Sequence, residues 1–239
     1  MNELKVIAHI YTDFPEKFGL PRQSGVVKEL TGRIEFEPEY GIPEAIKGIE
    51  GYDYLWLLWG FEVVEDQEFR TTVRPPRLGG NDRIGVFATR SPFRPNHIGL
   101  SSVKLEWIEN TENGPVLYVS GIDMRDNTPI YDIKPYLAYT DSHESARGGF
   151  SDAARFHVLK VDFPKELLEK LPEYKRDGAV AMLKEDIRPS YQDSPERVYG
   201  VSYAGCNIRF RVQDNVLTVI EVTELNEEKN YGDQAGYAG

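Results

Sequence analysis

Short apolar stretches alternate with Gly, Pro, Asn and Asp over roughly the first 140 residues, a pattern typical of a mostly β domain. Runs rich in Val, Ile, Leu and aromatic residues predict seven strands, at residues 5–10, 31–36, 54–61, 83–88, 101–107, 116–121 and 130–134. Residues 54–61 lack polar alternation, so this strand is predicted to be buried on both faces. A proline at its first turn predicts one short helix, at residues 43–47. Many short strands in one unit favour a barrel or a sandwich.

The pattern changes after a polar, glycine-containing stretch at residues 140–154, which is predicted to be a linker. A strand at 155–163, helical spacing at 164–171 and 174–186, and strands at 197–203, 207–212 and 216–222 follow it. The fold class predicted is therefore mainly β, with a small β-barrel domain over residues 1–145 and a small α+β domain over residues 152–225. The acidic, glycine-containing residues 226–239 are predicted to be a disordered tail.

Composition places the chain among ordinary soluble proteins, since 40% of its 239 residues are hydrophobic and 28% are charged. No apolar run approaches the roughly 20 residues that cross a bilayer, and the first residues are too polar for a signal peptide. We therefore expect a cytoplasmic protein with no membrane partner. The single cysteine, Cys206, cannot form an internal disulfide and is expected to be a buried structural thiol.

Charge is distributed unevenly along the chain. The formal net charge of −11 argues against a nucleic-acid partner, but residues 70–104 contain seven basic residues and one acidic residue, which gives +6 locally and leaves −17 elsewhere. Six of the seven are arginines, whose planar guanidinium groups fit phosphates and carboxylates. Solvated loops that offset an acidic protein are one interpretation, and an anion-binding surface is the one that this density of arginine favours. Arg74, Arg77 and Arg94 are the candidate phosphate contacts.

A second group of candidate residues flanks the predicted turn at 126–129. Asp123, Asp126 and Asp132 could present carboxylates there, although Asp-Asn is common in purely structural hairpin turns. The chain has no glycine-rich phosphate loop and no dinucleotide fingerprint. Its four histidines are scattered without metal-ligand spacing, so no metal site is predicted.

Several motifs are long and specific. They read Phe-Gly-Leu-Pro-Arg-Gln at 18–23, Arg-Pro-Pro-Arg-Leu-Gly-Gly at 74–80, Gly-Val-Phe-Ala-Thr-Arg-Ser-Pro-Phe-Arg-Pro-Asn at 85–96 and Asp-Ile-Lys-Pro-Tyr at 132–136. Later come Glu-Asp-Ile-Arg-Pro-Ser-Tyr at 185–191 and Asn-Ile-Arg-Phe-Arg-Val at 207–212. In these motifs the chain resembles the TsaA-like family, the TrmO-type tRNA methyltransferases, including the second domain of its longer bacterial members.

The resemblance implies S-adenosylmethionine-dependent methylation of the exocyclic nitrogen of threonylcarbamoyladenosine, next to the anticodon of tRNA. It also implies a small TsaA-like β-barrel in place of a Rossmann sheet, and a homodimer with the cofactor near the subunit interface. Glu62 and His97 depart from the family pattern, and Asn127 replaces a turn glycine, although Asn tolerates a left-handed conformation. By motif match, the implied cofactor contacts are Pro21, Arg22, Gln23, Glu62, Val63, Arg90, Leu100, Asp123, Asp126, Asn127 and Thr128.

The proton on the acceptor nitrogen must be lost during or before attack. Asp126 could act as the general base, or Arg90 or Arg94 could hold the threonyl carboxylate of the substrate while water takes the proton. We expect the phosphates of the anticodon loop to contact the arginine loops and its bases to stack on exposed aromatic residues such as Phe93 or Tyr191, with Arg188 as a further contact in the second domain. A non-catalytic S-adenosylmethionine- or nucleotide-binding sensor, or a methyltransferase for another small acceptor, is the alternative.

Overall fold

The structure, a computed structural model, describes residues 4–61, 69–75, 82–153, 158–188, 194 and 196–225. The first part of the chain contains strands β1 (Ala8–Thr12), β2 (Thr31–Phe36), β3 (Tyr54–Gly60), β4 (Thr72–Val73), β5 (Ile84–Gly85), β6 (Ile98–Thr111), β7 (Gly114–Ser120) and β8 (Thr128–Pro135). The second part contains α1 (Ala138–Asp141), α2 (Phe150–Ala153), β9 (Lys160–Asp162), α3 (Lys165–Leu168), α4 (Arg176–Lys184), β10 (Tyr199–Tyr203), β11 (Cys206–Gln213) and β12 (Val216–Glu224).

Six strands close into a barrel in the order β1-β2-β7-β6-β3-β8, with every neighbouring pair antiparallel. Alternate side chains point inward, and Ile10, Ile34, Leu57, Val103 and Leu117 are 0% exposed. Each such side chain stabilises the fold by about 1.5–3 kcal/mol relative to leaving it in water. Closure also gives each barrel strand a hydrogen-bonded neighbour on both sides. An open sheet would leave its two edge strands unpaired on one side. The predicted mainly β fold with a barrel is confirmed.

The prediction that β3 is buried on both faces is wrong. Leu55 and Leu57 point into the barrel and are fully buried, but Trp56 and Leu58 are only half-buried on the outer face, and Tyr54 is 41% exposed. A barrel wall has one inner face, so the apolar run also supplies an outer apolar surface. Tyr136 covers part of that surface by packing its ring 5.6 Å from that of Trp56.

Other predicted elements differ in extent. Of the predicted strand at 83–88, only Ile84–Gly85 pairs, with Thr72–Val73, and Val86–Ala88 forms a 3₁₀ turn. In place of the helix predicted at 43–47, the chain forms a four-residue 3₁₀ helix, Pro43–Ile46. Such short segments commonly adopt the tighter 3₁₀ form. The predicted linker at 140–154 overlaps the two short helices α1 and α2.

The second part of the chain forms a four-stranded sheet in the order β10-β11-β12-β9. Strand β9 is parallel to β12, the other neighbours are antiparallel, and α3 and α4 lie next to this sheet. Cys206 is 5% exposed, and burial raises the pKa of its thiol, as expected for a structural cysteine. The predicted α+β region is confirmed, while the domain boundaries at 145 and 152 stay predictions.

The two parts share one continuous hydrophobic core. Phe14, just after β1, packs its ring 5.2 Å from that of Tyr203, and a Cβ added at Gly19 would overlap the side chain of Val201. The sheet of the second part therefore supports residues 13–25, which we call the cofactor loop because the family resemblance predicts cofactor contacts at residues 21–23. In the described part of the chain, no helix is both long enough and apolar enough to span a membrane.

Candidate functional site

The cofactor loop is tied to the barrel at its far end. The Ser102 amide donates to Ser24 Oγ at 3.1 Å, and the Gly25 amide donates to the Gly121 carbonyl at 2.8 Å. Pro21 is buried, whereas Arg22 is exposed. These bonds bring the predicted cofactor contacts of residues 21–23 next to β6 and to the loop that precedes β8.

A second predicted contact, Arg90, reaches the same place. Its guanidinium donates a hydrogen bond to Gln23 Oε1, across 67 positions of sequence. The turn that carries Arg90 is held by Arg94, which donates from Nη1 to the carbonyls of Val86 at 3.2 Å and Thr89 at 2.8 Å. Arg94 therefore has a structural role in this loop, and its predicted contact with RNA stays a prediction.

Asp123 lies behind this pair in a chain of hydrogen bonds. Trp59 Nε1 donates to Ser101 Oγ at 2.9 Å, and Ser101 Oγ donates to Asp123 Oδ1 at 2.7 Å. Burial raises the pKa of Asp123 to about 6, although Ser101, the Ser24 amide and the charge of Arg90 all oppose that rise. Asp123 is thus a carboxylate that is mostly ionised at neutral pH and lies within the field of Arg90.

Asp126 lies elsewhere. Its Oδ1 accepts a hydrogen bond from the Thr12 amide at 2.9 Å, and it lines an outer groove of about 540 Å³ that Arg33, Trp107 and Tyr118 also line. The structure therefore does not bring Asp126 to the cluster of Gln23, Arg90 and Asp123 within one protomer. Its predicted roles as a cofactor contact and a base are left untested.

The remaining turn residues have clear local functions. Asn127 adopts φ +58°, the left-handed conformation expected of an Asn that replaces glycine. Thr128 is 8% exposed and its hydroxyl donates to the Arg125 carbonyl at 2.7 Å. Leu100, by contrast, lies on the outer face of β6 opposite Leu58 and is 55% exposed. Glu62 and Val63 lie outside the described residues.

One of the predicted phosphate contacts, Arg74, lines a broad cleft of about 1680 Å³, which we call the arginine cleft. Its lining includes five arginines, Arg22, Arg70, Arg74, Arg83 and Arg90, and four phenylalanines, Phe69, Phe87, Phe93 and Phe150. Arg74 is exposed there, as an RNA contact must be. Arg77 and Tyr191 lie outside the described residues.

Arg188 is not placed as a free surface cation. It forms a two-point ion pair with Asp186, Nε to Oδ1 at 2.8 Å and Nη2 to Oδ2 at 2.9 Å, and its side chain is 10% exposed. A guanidinium held in this way has little surface left for an RNA phosphate, and its predicted contact with tRNA stays a prediction.

Sequence reasoning missed two parts of the site. Ser101 and Trp59 alternate inward on paired strands, and no local motif marks them as partners of Asp123. Phe69 and Phe87 lie 18 positions apart, and their rings stack only in the folded chain, at a centroid distance of 6.3 Å. The arginines around them were the one available signal.

Within the described residues, the fold and the site together define a class of β-barrel proteins in which charged side chains gather where loops between barrel strands meet, without a Rossmann sheet. A family model described as the N-terminal domain of tRNA-methyltransferase O matches residues 9–142, and one described as the TrmO C-terminal domain matches residues 157–225. The chain belongs to the tRNA-methyltransferase O family.

Individual relatives agree with this assignment. The chain is 37% identical over 220 residues to a tRNA (adenine(37)-N6)-methyltransferase of Escherichia coli, covering 89% of this chain and 94% of the relative. It is 39% identical over 203 residues to a Pseudomonas aeruginosa protein named as a candidate S-adenosylmethionine-dependent methyltransferase, covering 82% and 86%. A crystal structure of TrmO from P. aeruginosa superposes with a TM-score of 0.76 at 31% identity, covering 94% of this chain and 97% of that one. The predicted family and enzyme class are confirmed.

Proposed function

We propose that this protein transfers a methyl group from S-adenosylmethionine to the exocyclic nitrogen of an adenosine in tRNA, the threonylcarbamoyladenosine next to the anticodon. The observation that carries the proposal is the convergence of Gln23, Arg90 and Asp123, three of the implied cofactor contacts from distant parts of the sequence. The E. coli relative is named for methylation of an adenine in tRNA and the P. aeruginosa relative for dependence on S-adenosylmethionine, and these names support the acceptor and the donor.

The charged groups of the site fit S-adenosylmethionine, which has a carboxylate at one end and carries positive charge on its ammonium and sulfonium. When bound, the cofactor supplies an electrophilic methyl group. Arg22 is exposed on the cofactor loop and can hold the carboxylate. Asp123, ionised at neutral pH, favours a cation beside it, and Arg90 fixes the loop through Gln23. The chain itself thus provides both signs of charge within one loop cluster.

Two routes for the acceptor proton were open, and the geometry within one protomer favours one of them. Asp126 lines the outer groove and accepts a hydrogen bond from the Thr12 amide, away from Gln23 and Arg90 of its own protomer. Arg94 is engaged with the carbonyls of its own turn. A guanidinium has five N–H donors, and Arg90 uses one of them on Gln23. We therefore assign Arg90 to the threonyl carboxylate of the substrate, with water as the proton acceptor.

We also propose that the active form is a homodimer and that the enzyme acts in the cytoplasm on tRNA. The outer face of β3 and β6 supports the dimer, because Leu100 is 55% exposed beside Leu58 and Tyr54 is 41% exposed on the same strand pair. A second copy on this face would cover a residue that the family motif assigns to the cofactor site. The arginine cleft supports tRNA as partner, since its cations can contact the phosphates of the anticodon loop.

The test is a methyl-transfer assay with two tRNA substrates. The protein is incubated with S-adenosylmethionine and with tRNA that bears or lacks the threonylcarbamoyl group, and digested nucleosides are analysed by mass spectrometry. We expect a gain of one methyl group on the modified nucleoside and none on the unmodified tRNA. Intact cofactor binding without a methylated nucleoside would leave the sensor interpretation instead.

A further inference from the structure

Two large aromatic side chains of the arginine cleft are exposed to solvent. Phe87 is 70% exposed and Phe69 is 48% exposed. Burying a phenylalanine stabilises a protein by about 1.5–3 kcal/mol, so two exposed rings side by side forgo a considerable stabilisation. Their centroids are 6.3 Å apart and their planes differ by 29°. Adjacent exposed apolar groups within a polar surround mark a contact site.

The two rings are held in place by the loops that carry them. Phe87 is the central residue of the 3₁₀ turn Val86–Ala88. Arg94 donates hydrogen bonds to two carbonyls, one in this turn and one next to it, and the guanidinium carbon of Arg94 lies 5.4 Å from the Phe87 ring centroid. Next to Phe69, the Arg70 amide donates to the Phe93 carbonyl at 3.2 Å, and the Arg70 guanidinium carbon lies 4.2 Å above the Phe93 ring. Rings ordered in this way lose little conformational entropy when a ligand packs on them.

The charge around the rings selects the kind of ligand. Five arginines line the cleft, and the one acidic side chain among its described lining residues, Asp152, accepts a hydrogen bond from the Gly148 amide at 2.8 Å. An apolar protein surface offers no negative charge to pair with these arginines. A flexible polyanion with flat, unstacked rings matches both features, because single-stranded nucleic acid combines phosphate contacts with base stacking.

We propose that Phe69 and Phe87 form a stacking platform for an unpaired base of the RNA substrate, next to the base that is modified. This inference rests on the proposed function, since the platform borders Arg90 and Gln23 in the same cleft. The aromatic faces supply affinity without reading base identity, and the arginines hold the flanking phosphates. The platform therefore splays the anticodon loop and leaves the target nucleotide at Arg90.

The experiment compares the variants Phe87→Leu, Phe87→Trp and Phe69→Leu in the full chain, with Tyr174→Leu as the matched control. Tyr174 is 82% exposed but lines the outer groove instead. Measured by filter binding, Phe87→Leu should weaken tRNA binding by roughly 5- to 150-fold, the range for one stacked base, and Phe69→Leu should act in the same direction. Phe87→Trp and Tyr174→Leu should bind as the wild type does, and S-adenosylmethionine affinity should be unchanged throughout.

A salt titration separates stacking from charge. Phe87→Leu should leave the slope of log affinity against log salt unchanged, whereas Arg74→Gln should reduce it by about 0.7–0.9, the contribution of one phosphate contact. Wild-type tRNA affinity in Phe87→Leu, or equal losses in Phe87→Leu and Phe87→Trp, would overturn the platform. So would dissociation of a dimer by Phe87→Leu in size-exclusion chromatography, which would assign the rings to a subunit interface. Failure of the proposed function is seen separately, as a wild-type protein that methylates no tRNA.

Discussion

Lys175 of the second part of the chain forms an ion pair with Asp13 at the end of β1, with Nζ 2.5 Å from Oδ2. The pair is largely buried, with 15% and 20% of the two side chains exposed, and Lys175 Nζ also donates to Thr31 Oγ1 at 3.3 Å. Asp13 begins the cofactor loop, and its carbonyl accepts a hydrogen bond from the Ala204 amide. The second part of the chain therefore holds the loop that carries Arg22 and Gln23.

The ion pair should couple the second part to cofactor binding. Lys175→Met leaves the Asp13 carboxylate partly buried without its cation, so the free energy of unfolding should fall by about 1–3 kcal/mol. Affinity for S-adenosylmethionine, measured by isothermal titration calorimetry, should fall with it. The double variant with Asp13→Asn should recover part of both losses, and purely additive losses would show that the two residues do not act together.

Gly19 should be intolerant of any side chain. Its φ is +95°, and an added Cβ would overlap Val201 Cγ2, so Gly19→Ala combines backbone strain with overpacking and should lower the free energy of unfolding by about 2–4 kcal/mol. Gly25 is the matched control, because its φ is +76° and an added Cβ would meet nothing within 4 Å. Gly25→Ala should lower the free energy of unfolding by about 1–2 kcal/mol, from backbone strain alone. Denaturant unfolding measures both, and equal effects would mean that contact with Val201 is unimportant.

Asp123 should make stability depend on pH. Its folded pKa of about 6 is above the unfolded value near 4, so the folded state binds more protons between these values and stability falls as pH rises from about 4 to 6. Asp123→Asn keeps an oxygen for the Ser101 hydroxyl and removes the buried charge. The variant should lack this pH dependence, and its free energy of unfolding at pH 7 should be about 1–3 kcal/mol higher than that of the wild type. It should also bind the cofactor less tightly. Thermal unfolding from pH 4.5 to 7.5 checks this, and identical slopes for variant and wild type would contradict it.

Arg90 and Arg188 should have separable roles. Arg90→Ala removes the hydrogen bond to Gln23 and the cation beside Asp123, so cofactor affinity should fall by on the order of tenfold or more. Arg188→Ala should leave cofactor affinity alone and weaken activity on tRNA through loss of the ion pair with Asp186, since little of the guanidinium is exposed to an RNA phosphate. Because Arg188 pairs with Asp186 at 10% exposure, a loss of stability should accompany it. Equal cofactor affinity in the two variants would show that Arg90 lies outside the cofactor site.

Leu100 tests the dimer face. Leu100→Glu places a charge on a side chain that is 55% exposed, so the protomer should stay folded while a dimer formed through β3 and β6 dissociates. Ile220→Glu is the control, because Ile220 is 41% exposed on a strand of the other sheet. Light scattering after size-exclusion chromatography gives the mass of each variant. A dimer that survives Leu100→Glu would place the interface elsewhere.

The sequence by itself determined the strand content and the family. Local spacing predicted the strand Thr31–Phe36 to the residue, because alternation with a period of two is a local property. Motif content was sufficient to name the enzyme class and the conformation of Asn127, since a left-handed turn depends on only a few neighbouring residues. The hydrophobic pattern failed to predict the burial of β3, because an apolar run does not distinguish a strand buried on both faces from a barrel strand with an apolar outer surface.

Tertiary structure alone decided which candidates meet. Asp123 and Asp126 are three positions apart, yet one reaches Ser101 near Arg90 and the other faces Arg33 in the outer groove. The bonds of Arg90 to Gln23 and of Lys175 to Asp13 span 67 and 162 positions. Barrel register and the packing of the second sheet create these contacts, and they depend on the arrangement of the whole chain. That arrangement places Asp123, and not Asp126, near Arg90. It also supports the cofactor loop and pairs Phe69 with Phe87.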